Sequence, residues 1–569
     1  MKKLLIILFT ALAVTALGQS KLKVNESHGE VAKLNGYNVE DVFALSTGGY
    51  WSLTSRVEGS GIAGLGLMKM KRVYFVQSYN EDMNLISEKK LNLRFEHKDL
   101  SLESIVQFQN DFYIFLKFDN IEKKKTYLFY ALFDHHDLMI DGDLTKVAEI
   151  KLGSKATNSY PGTFDISVSE NEEFLVIFGN EPQKRERRKR GLFGGRSSSS
   201  SSDVGTHTFK FTYWVLNEDF QIVNYEIKHD LKIENSSDKF YVRDYAVDNV
   251  GAIYILGKNK VVDELTRSEK RAKQTSNWVD IKKSAFVLEK INSDGSSSLI
   301  ATPQDELFVD MDILFDKAGN VNLVGRTGEQ IYSKLVTTGV YRMVLAPENL
   351  EMVSNANSEF FPDVLENVND IQEREANQSK RRRKRQVRKD RKLTKEQKEF
   401  KEAAKRAALN ANFIAYSGLD ENGDAVIILE ERHVRVVTTS STDANGYTTT
   451  TTTYYYHYDD LIMAKFIDDE VVQNYYKKSF VSVNVPLVKS LDVSLKNSNI
   501  NIMTQGHIVR ADYDLQTIKD YELKAFSRKD KVPGMRRKVF TYRKTMDENT
   551  ILAPAQWRRK VMWYKIQIK

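Results

Sequence analysis

Three tyrosines at alternate positions are the side chains of this sequence best suited to binding a ligand. Tyr454, Tyr456 and Tyr458 follow a run of threonines. Alternate residues of an extended strand lie on one face, so the three rings would line one surface. Aromatic rings with a polar tip suit a sugar or a peptide chain. We therefore predict a binding surface here.

A predicted hairpin brings Arg435 to the same surface. Asn445-Gly446 is typical of a two-residue hairpin turn, and Thr-, Val- and Tyr-rich runs flank it. The predicted opposite pairs are Tyr454 with Val437, Tyr456 with Arg435, Tyr455 with Val436 and His457 with Val434. The alternative is a long hairpin without a ligand, held by cross-strand pairs of β-branched residues.

A second candidate binding segment is an unbroken basic run. Lys380–Arg385 carries Arg381, Arg382 and Arg383 at its centre. Such a run binds phosphates or other anions in a charge-dependent way. In an exported protein the anion would be a lipopolysaccharide phosphate, an acidic glycan or extracellular DNA. The alternative is a solvated loop that binds nothing specific.

Motifs for catalysis and for metals are missing from the sequence. There is no His-Glu-x-x-His, no Gly-x-Ser-x-Gly and no phosphate loop. His135-His136-Asp137 is interpreted as a turn, and carboxylates such as Asp310 and Asp312 could pair at a central site. The absence of cysteine excludes disulfides and thiolate metal sites. We predict no catalytic residue, no metal site and no cofactor.

The segment Tyr455-Tyr456-His457-Tyr458-Asp459-Asp460-Leu461-Ile462-Met463-Ala464-Lys465-Phe466 carries a resemblance to a known group. With the preceding hairpin, about residues 433–466, it resembles uncharacterised secreted propeller-like proteins of Bacteroidota. The sequence departs from that group after Phe466, where no turn glycine follows. The resemblance implies an envelope or extracellular location and a β architecture, and it implies no reaction.

The N-terminal residues predict export. Lys2 and Lys3 precede an apolar run from Leu4 to Ala16, and a small-residue pattern ends before Gln19. This order is typical of a secretory signal peptide covering residues 1–18. The alternative is a retained anchor. We expect no later transmembrane segment, and a periplasmic location is slightly favoured over the cell surface.

The net charge of +7 conceals an acidic body with two basic inserts. Residues 184–196 carry +6, residues 380–406 carry +11 and the signal peptide carries +2, which leaves about −12 for the rest. The first insert, residues 183–203, contains a run of serines and is predicted to be a loop. The second, residues 366–412, is predicted to be partly helical, with a helix from Thr394 to Leu409.

Short apolar runs bounded by turn residues predict an all-β protein. Three strand–turn–strand segments share one pattern: Asp248-x-x-Gly251, Asp316-x-x-Gly319 and Asp420-x-x-Gly423. Similar turns recur about every 60–80 residues once the inserts are removed. We therefore predict a β-propeller of about seven four-stranded blades over residues 19–569. A β-sandwich array is the alternative fold.

An interaction or scaffold protein of the envelope is the function that these features favour. The hairpin and the basic insert would contact an envelope protein, a glycan or an anionic polymer. One alternative is a secreted hydrolase, directed at glycans, with acidic residues at the propeller axis. The other is a surface protein that binds polyanions.

Overall fold

The computed structural model describes most of the chain. It covers residues 22–180, 205–361, 364 and 412–569, apart from gaps at 37, 46–47, 61–68, 96, 154–161, 237–240, 265–278, 304–305, 332–333, 443–447, 469, 484–486, 488–489, 497–498, 525–538, 541, 548 and 558. The predicted signal peptide, the whole of the first basic insert, the second basic insert apart from Asn412, the predicted helix and Arg381, Arg382 and Arg383 lie outside the described residues.

The chain divides into two compact units. Unit 1 comprises Met1–Lys90 and Pro486–Lys569, and unit 2 comprises Leu91–Val485. The first six strands, in unit 1, are β1 Val24–His28, β2 Ala32–Lys33, β3 Asn38–Ala44, β4 Tyr50–Ser60, β5 Lys69–Tyr79 and β6 Leu85–Lys90.

Unit 2 contains the next 23 described strands. They are β7 Arg94–Phe95, β8 Lys98–Asp99, β9 Ser101–Phe108, β10 Asp111–Asn120, β11 Lys125–Asp134, β12 Met139–Lys151, β13 Thr163–Val168, β14 Leu175–Asn180, β15 Gly205–Leu216, β16 Ile222–Ser236, β17 Tyr241–Val247, β18 Ile253–Glu264, β19 Val279–Ile291, β20 Ser297–Ala301, β21 Leu307–Phe315, β22 Val321–Ile331, β23 Lys334–Leu345, β24 Met352–Glu359, β25 Asn412–Leu419, β26 Ala425–Thr442, β27 Thr448–Ile467, β28 Glu470–Tyr476 and β29 Phe480–Val483.

The remaining strands return to unit 1. They are β30 Asp492–Lys496, β31 Asn499–Met503, β32 His507–Ala511, β33 Ile518–Glu522, β34 Val539–Phe540, β35 Lys544–Thr545, β36 Thr550–Trp557 and β37 Lys560–Ile568.

Unit 1 contains three sheets in its described part. Two are meanders of consecutive strands, β3-β4-β5-β6 and β30-β31-β32-β33. The third runs β1-β37-β36-β34 and joins the two ends of the chain, with Val24 opposite Ile568. Its apolar residues pack with those of β31 and β32 in one buried cluster, which includes Met503, Ile508 and Tyr564.

Unit 2 is built from antiparallel meanders of the same kind. Its described sheets run β9 to β12, β13 to β16, β17 to β24 and β25 to β28, and β7 pairs with β8. The eight-stranded sheet consists of two four-stranded groups joined at one parallel pair, Ser284 with Leu307. The strand β14 is buried along Leu175–Gly179 because hydrophobic clusters pack on both of its faces.

The three predicted Asp-x-x-Gly turns are confirmed. Gly251, Gly319 and Gly423 have φ values of +81°, +84° and +85°, in the left-handed region that glycine adopts without strain. In each turn the glycine N–H donates to the carbonyl of the aspartate. The aspartate carboxylate also accepts backbone N–H groups within its own turn. Local chemistry therefore determines these connections.

The predicted all-β class is confirmed, since the described residues form antiparallel sheets nearly throughout. Within the described ranges, no helix is both long enough and apolar enough to cross a membrane.

Candidate functional site

The hairpin of β26 and β27 is buried at its base and exposed at its far end. Pairing runs from Ala425 opposite Phe466 to Thr442 opposite Thr448. The base belongs to a hydrophobic cluster that includes Ala425, Ile427, Leu429, Ile462, Ala464 and Phe466. Residues 438–441 and 448–452 are exposed. The change from Ile and Leu to Thr and Ser along each strand matches this change in burial.

The predicted register of this hairpin is wrong by one residue. Val436 lies opposite Tyr454, and Arg435 lies opposite Tyr455. The last pair, Thr442 with Thr448, leaves the five residues 443–447 as the connection, where two were predicted. With an odd instead of an even number of connecting residues, each residue of β26 pairs one position away from its predicted partner on β27. Residues that were predicted to share a face of the hairpin then lie on opposite faces. A bulge between Glu430 and Arg432 shifts the pairing back, so the base of the hairpin has the register predicted from the sequence.

The tyrosine face therefore contains valines where Arg435 was predicted. Val434 lies opposite Tyr456, and Val436 opposite Tyr454. Both valines are 53% exposed and Tyr454 is 43% exposed. The rings of Tyr454 and Tyr456 lie 6.4 Å apart and nearly parallel. This part of the hairpin presents an apolar surface to solvent.

The other two predicted hairpin site residues, Tyr458 and Arg435, do not belong to this exposed apolar surface. Tyr458 is buried and lies opposite Arg432, whose guanidinium carbon is 5.8 Å from the ring centroid. Arg435 is exposed on the opposite face, across from Tyr455. The binding roles of Tyr454, Tyr456, Tyr458 and Arg435 stay predictions.

The far half of the hairpin has two uncovered edges within the described structure. The strand β25 pairs with β26 only as far as Glu431. On the other side, β28 pairs with β27 from Leu461 onward and β29 pairs with Tyr455–Tyr458. No described strand pairs with the outer edge of residues 434–442 or 449–453. Such edges are templates for another strand.

A buried ionic group lies at the base of the exposed half. The side chain of Glu430 is wholly buried and accepts from Lys478 Nζ and from Arg432 Nε, the latter at 2.5 Å. The backbone N–H of Lys478 donates to Asp460 Oδ1 at 3.0 Å. Two cations offset the buried Glu430 carboxylate, whose desolvation would otherwise be costly.

The observed register brings two histidines and an aspartate together. His433 lies directly opposite His457, and their ring centroids are 4.0 Å apart with planes 13° from parallel. Nδ1 of His433 is 3.5 Å from Asp459 Oδ2. One ligand atom from each residue lies within 4.8 Å of the others.

The surroundings of this cluster are partly buried. Asp459 is 1% exposed, and the Ser479 hydroxyl donates to its Oδ1 at 2.7 Å. Nε2 of His457 is shielded from solvent, and within the described part of the chain it has no hydrogen-bond partner. The sequence interpretation missed this cluster because it paired His457 with Val434. Assuming an odd number of connecting residues around Asn445-Gly446 would have placed His433 opposite His457.

His135 and His136 lie in a turn after β11, as predicted. Their ring centroids are 4.0 Å apart. Burial, together with the neighbouring His136, lowers the pKa of His135. Backbone N–H groups of Asp137 and His136 lower the pKa of the Asp134 carboxyl. These carboxylate bonds hold the turn.

A cavity of about 990 Å³ in unit 2 is lined by the ends of β13, β17, β21 and β25 and by the turns that follow them. Its carboxylates include Asp244, Asp316 and Asp420. Asp244 Oδ2 accepts from Ile313 N at 3.3 Å. Asp316 and Asp420 accept backbone N–H groups of their own turns, and Lys465 donates to Asp420 at 2.7 Å. These three carboxylates hold strands and turns together.

The two carboxylates singled out in the sequence have structural partners. Asp310 Oδ2 is 3.3 Å from Arg326 Nη2, and both side chains are buried. Asp312 Oδ2 accepts from the Ser417 hydroxyl at 2.7 Å. Neither aspartate lines the cavity.

No protein-family model matches this chain, and no curated protein matches it. Among solved structures, a polysaccharide lyase is 9% identical with a TM-score of 0.32, covering 82% of this chain and 89% of its own. An apocarotenoid oxygenase of Synechocystis is 8% identical with a TM-score of 0.32, covering 89% and 94%. Prolyl oligopeptidase B of Galerina marginata is 9% identical with a TM-score of 0.34, covering 92% and 55%. Similarity this low supports no functional argument.

Proposed function

We propose that this chain is a non-enzymatic interaction protein of the bacterial envelope. Its contact element is the exposed half of the β26–β27 hairpin. Its partner is another protein that adds an extended segment to an edge of that hairpin. The observation that carries the proposal is the pair of edges, along residues 434–442 and 449–453, that no strand of the described structure covers.

The composition of these edges favours strand addition. Natural edge strands are usually protected by lysine, proline or a bulge. Residues 434–442 and 449–453 contain neither lysine nor proline, Arg435 is their only charged residue, and the register shift between β26 and β27 lies nearer the base. Valine and threonine make up six of the nine residues of the first run, and the second run is threonine throughout. In strand addition, backbone hydrogen bonds supply affinity and alternate side chains supply specificity.

The exposed apolar side chains would supply that specificity. Val434, Val436 and Tyr454 lie together on one face beside the edge of β26. Burying an exposed valine or tyrosine under a partner side chain contributes about 25 cal/mol for each Å² of apolar surface removed from water. A partner strand with alternating apolar residues fits this face.

The larger architecture in this proposal is a β-propeller. Four-stranded groups of antiparallel strands are its blades, and the described residues contain eight of them, counting the sheet of β1, β37, β36 and β34. The earlier expectation was about seven. Export through the signal peptide of residues 1–18, a periplasmic location and kinship with secreted Bacteroidota proteins belong to the same proposal.

The test is capture of a partner by the tagged full chain from gently solubilised envelopes, followed by hydrogen exchange on the purified complex. We expect one near-stoichiometric protein that slows amide exchange within 434–442 or 449–453. Val436→Lys places a charge on the contact face and should abolish capture. The matched control is Val353→Lys, which charges a 62% exposed valine on β24 and should leave capture unchanged.

Three outcomes contradict the proposal. Capture that survives Val436→Lys and is lost on adding salt assigns binding to the basic insert and an anionic polymer. Protection that appears in the purified chain alone, with a doubled mass by ultracentrifugation, makes the occupant a second copy of the chain. A solitary chain without protection directs attention to glycan hydrolysis at the cavity.

A further inference from the structure

We propose that His433, His457 and Asp459 form a binding site for a divalent transition-metal cation of the zinc class. The site lies between the buried base and the exposed half of the hairpin. It departs from the sequence expectation of no metal site. It does not depend on the proposed partner, because all of its ligands belong to this chain.

The ligand types fit this class of cation. Two imidazoles and one carboxylate are a common protein ligand set for zinc, with a fourth position left to water or an added ligand. Calcium and magnesium prefer sites made of oxygen ligands, so two histidines argue against them. The set therefore selects a borderline-soft divalent metal.

The spacing also fits. Zinc–nitrogen and zinc–oxygen bonds of about 2.0–2.2 Å place two ligand atoms of a tetrahedral site roughly 3.4 Å apart. Nδ1 of His433 and Oδ2 of Asp459 are 3.5 Å apart. The nitrogen of His457 completes the group within 4.8 Å. A turn of one imidazole ring would bring the three atoms to bonding distance.

The unsatisfied nitrogen of His457 is an independent observation for a ligand. Nε2 of His457 is shielded from solvent and has no hydrogen-bond partner among the described residues. A buried polar atom left in this way costs about 1–3 kcal/mol. A metal bond would remove this cost. The positive ion would also lie beside Asp459, a carboxylate that is only 1% exposed.

The Ser479 hydroxyl has the position of an orienting group. It donates to Asp459 Oδ1 at 2.7 Å, which leaves Oδ2 directed toward His433. Ligating carboxylates are typically held by such hydrogen bonds. The neighbouring Glu430 is offset by Lys478 and Arg432, so it does not compete for the cation.

Binding requires one ring to turn. A metal lies in the plane of each imidazole that binds it, whereas these two rings are stacked 13° from parallel. The side chain of His433 is 45% exposed, so a turn about χ2 moves the ring into solvent rather than into packed side chains. The open coordination position would then face solvent on the His433 side.

The first experiment is Zn²⁺ titration by calorimetry on the full chain, purified without a polyhistidine tag and stripped with a chelator. We expect one saturable equivalent per chain. The variant His433→Gln with His457→Gln should lose it. His135→Gln with His136→Gln removes another adjacent histidine pair and should retain it. Wild-type binding equal to that of the 433/457 variant, or loss in the 135/136 control, overturns the proposal.

Two further measurements separate a metal ligand from a structural residue. Co²⁺ bound to the wild type should give visible absorption of a four- or five-coordinate site, and His433→Gln alone should remove it. His433 is partly exposed, so this single variant should keep the wild-type circular dichroism spectrum. Ser479→Ala should weaken Zn²⁺ binding by about 10- to 100-fold. Unchanged Co²⁺ spectra in His433→Gln, or unchanged affinity in Ser479→Ala, contradict the assigned geometry.

Discussion

Lys465 and Asp420 form an ion pair that solvent does not reach. Lys465 Nζ is 2.7 Å from Asp420 Oδ2, and the two side chains are 0% and 2% exposed. A second carboxylate, Asp424, lies 3.5 Å from the same nitrogen. Asp420 opens the turn between β25 and β26, whereas Lys465 lies on β27. The pair therefore ties a turn to the long hairpin.

Removing Lys465 should destabilise unit 2 strongly. Lys465→Met leaves two carboxylates without their buried cation, and breaking such a pair typically costs about 3–5 kcal/mol. The double variant Lys465→Met with Asp420→Asn should recover part of that loss. Urea denaturation followed by tryptophan fluorescence measures both. Lys146→Ala, at a half-exposed ion pair with Glu149, should cost less than about 1 kcal/mol.

The effect of replacing Gly319, in the second Asp-x-x-Gly turn, should come from backbone conformation alone. Its φ is +84°, and apart from its chain neighbours no atom of the described residues lies within 4 Å of an added Cβ. Gly319→Ala should therefore lower the free energy of unfolding by about 1–2 kcal/mol. Gly319→Asn should cost less, because asparagine tolerates this region. Equal losses for Ala and Asn, measured by thermal denaturation, would show that conformation is not the cause.

The hairpin register can be tested by disulfide formation, because the chain has no cysteine. Val436 and Tyr454 are directly opposite, which places their Cα atoms about 4.5–5.5 Å apart, within disulfide range. Val436→Cys with Tyr454→Cys should oxidise completely, as counted by free-thiol labelling. Val436→Cys with Tyr455→Cys should not, because adjacent residues lie on opposite faces. Oxidation of the second pair alone would support the register predicted from the sequence, which pairs Val436 with Tyr455.

His507 in unit 1 should titrate above its ordinary range. Its hydrogen bond to Asp520, at 3.0 Å, raises the pKa of His507. The stabilisation is therefore fully present below a pH of about 6.5, and is lost as pH rises through the pKa of the folded state. Because both side chains are more than a third exposed, we expect less than about 1 kcal/mol.

NMR titration of the His507 ring checks this relation. Asp520→Asn should lower the pKa of His507. Glu522→Gln should lower it less, because Glu522 is a weaker cause of the shift. An unchanged His507 pKa in Asp520→Asn would contradict the ion pair.

Much of the fold was predictable because its signals are local. The apolar run of Leu175–Phe178 forms β14, and the turns at Gly251, Gly319 and Gly423 lie at their predicted residues. Strand formation by alternating or continuous apolar runs depends on neighbours a few positions away. An aspartate followed by glycine forms its turn with its own backbone groups. Such features need no distant partner.

The candidate site was not predictable in the same way, because it depends on a register. His433 and His457 are 24 positions apart, and one residue more or less in the connection would place them on opposite faces. Asn445-Gly446 indicates a hairpin correctly, but this dipeptide does not determine how many residues the loop contains.

The sequence by itself determined the all-β class, the three repeated turns and the existence of the long hairpin. Only the tertiary structure decided that His433, His457 and Asp459 meet, that Arg435 faces away from Tyr454, and that Asp420 holds Lys465. The physical reason is that strands and turns follow from local backbone preferences. Cross-strand contacts follow from the number of residues in loops and bulges and from which faces are buried, and these are properties of the whole packed chain.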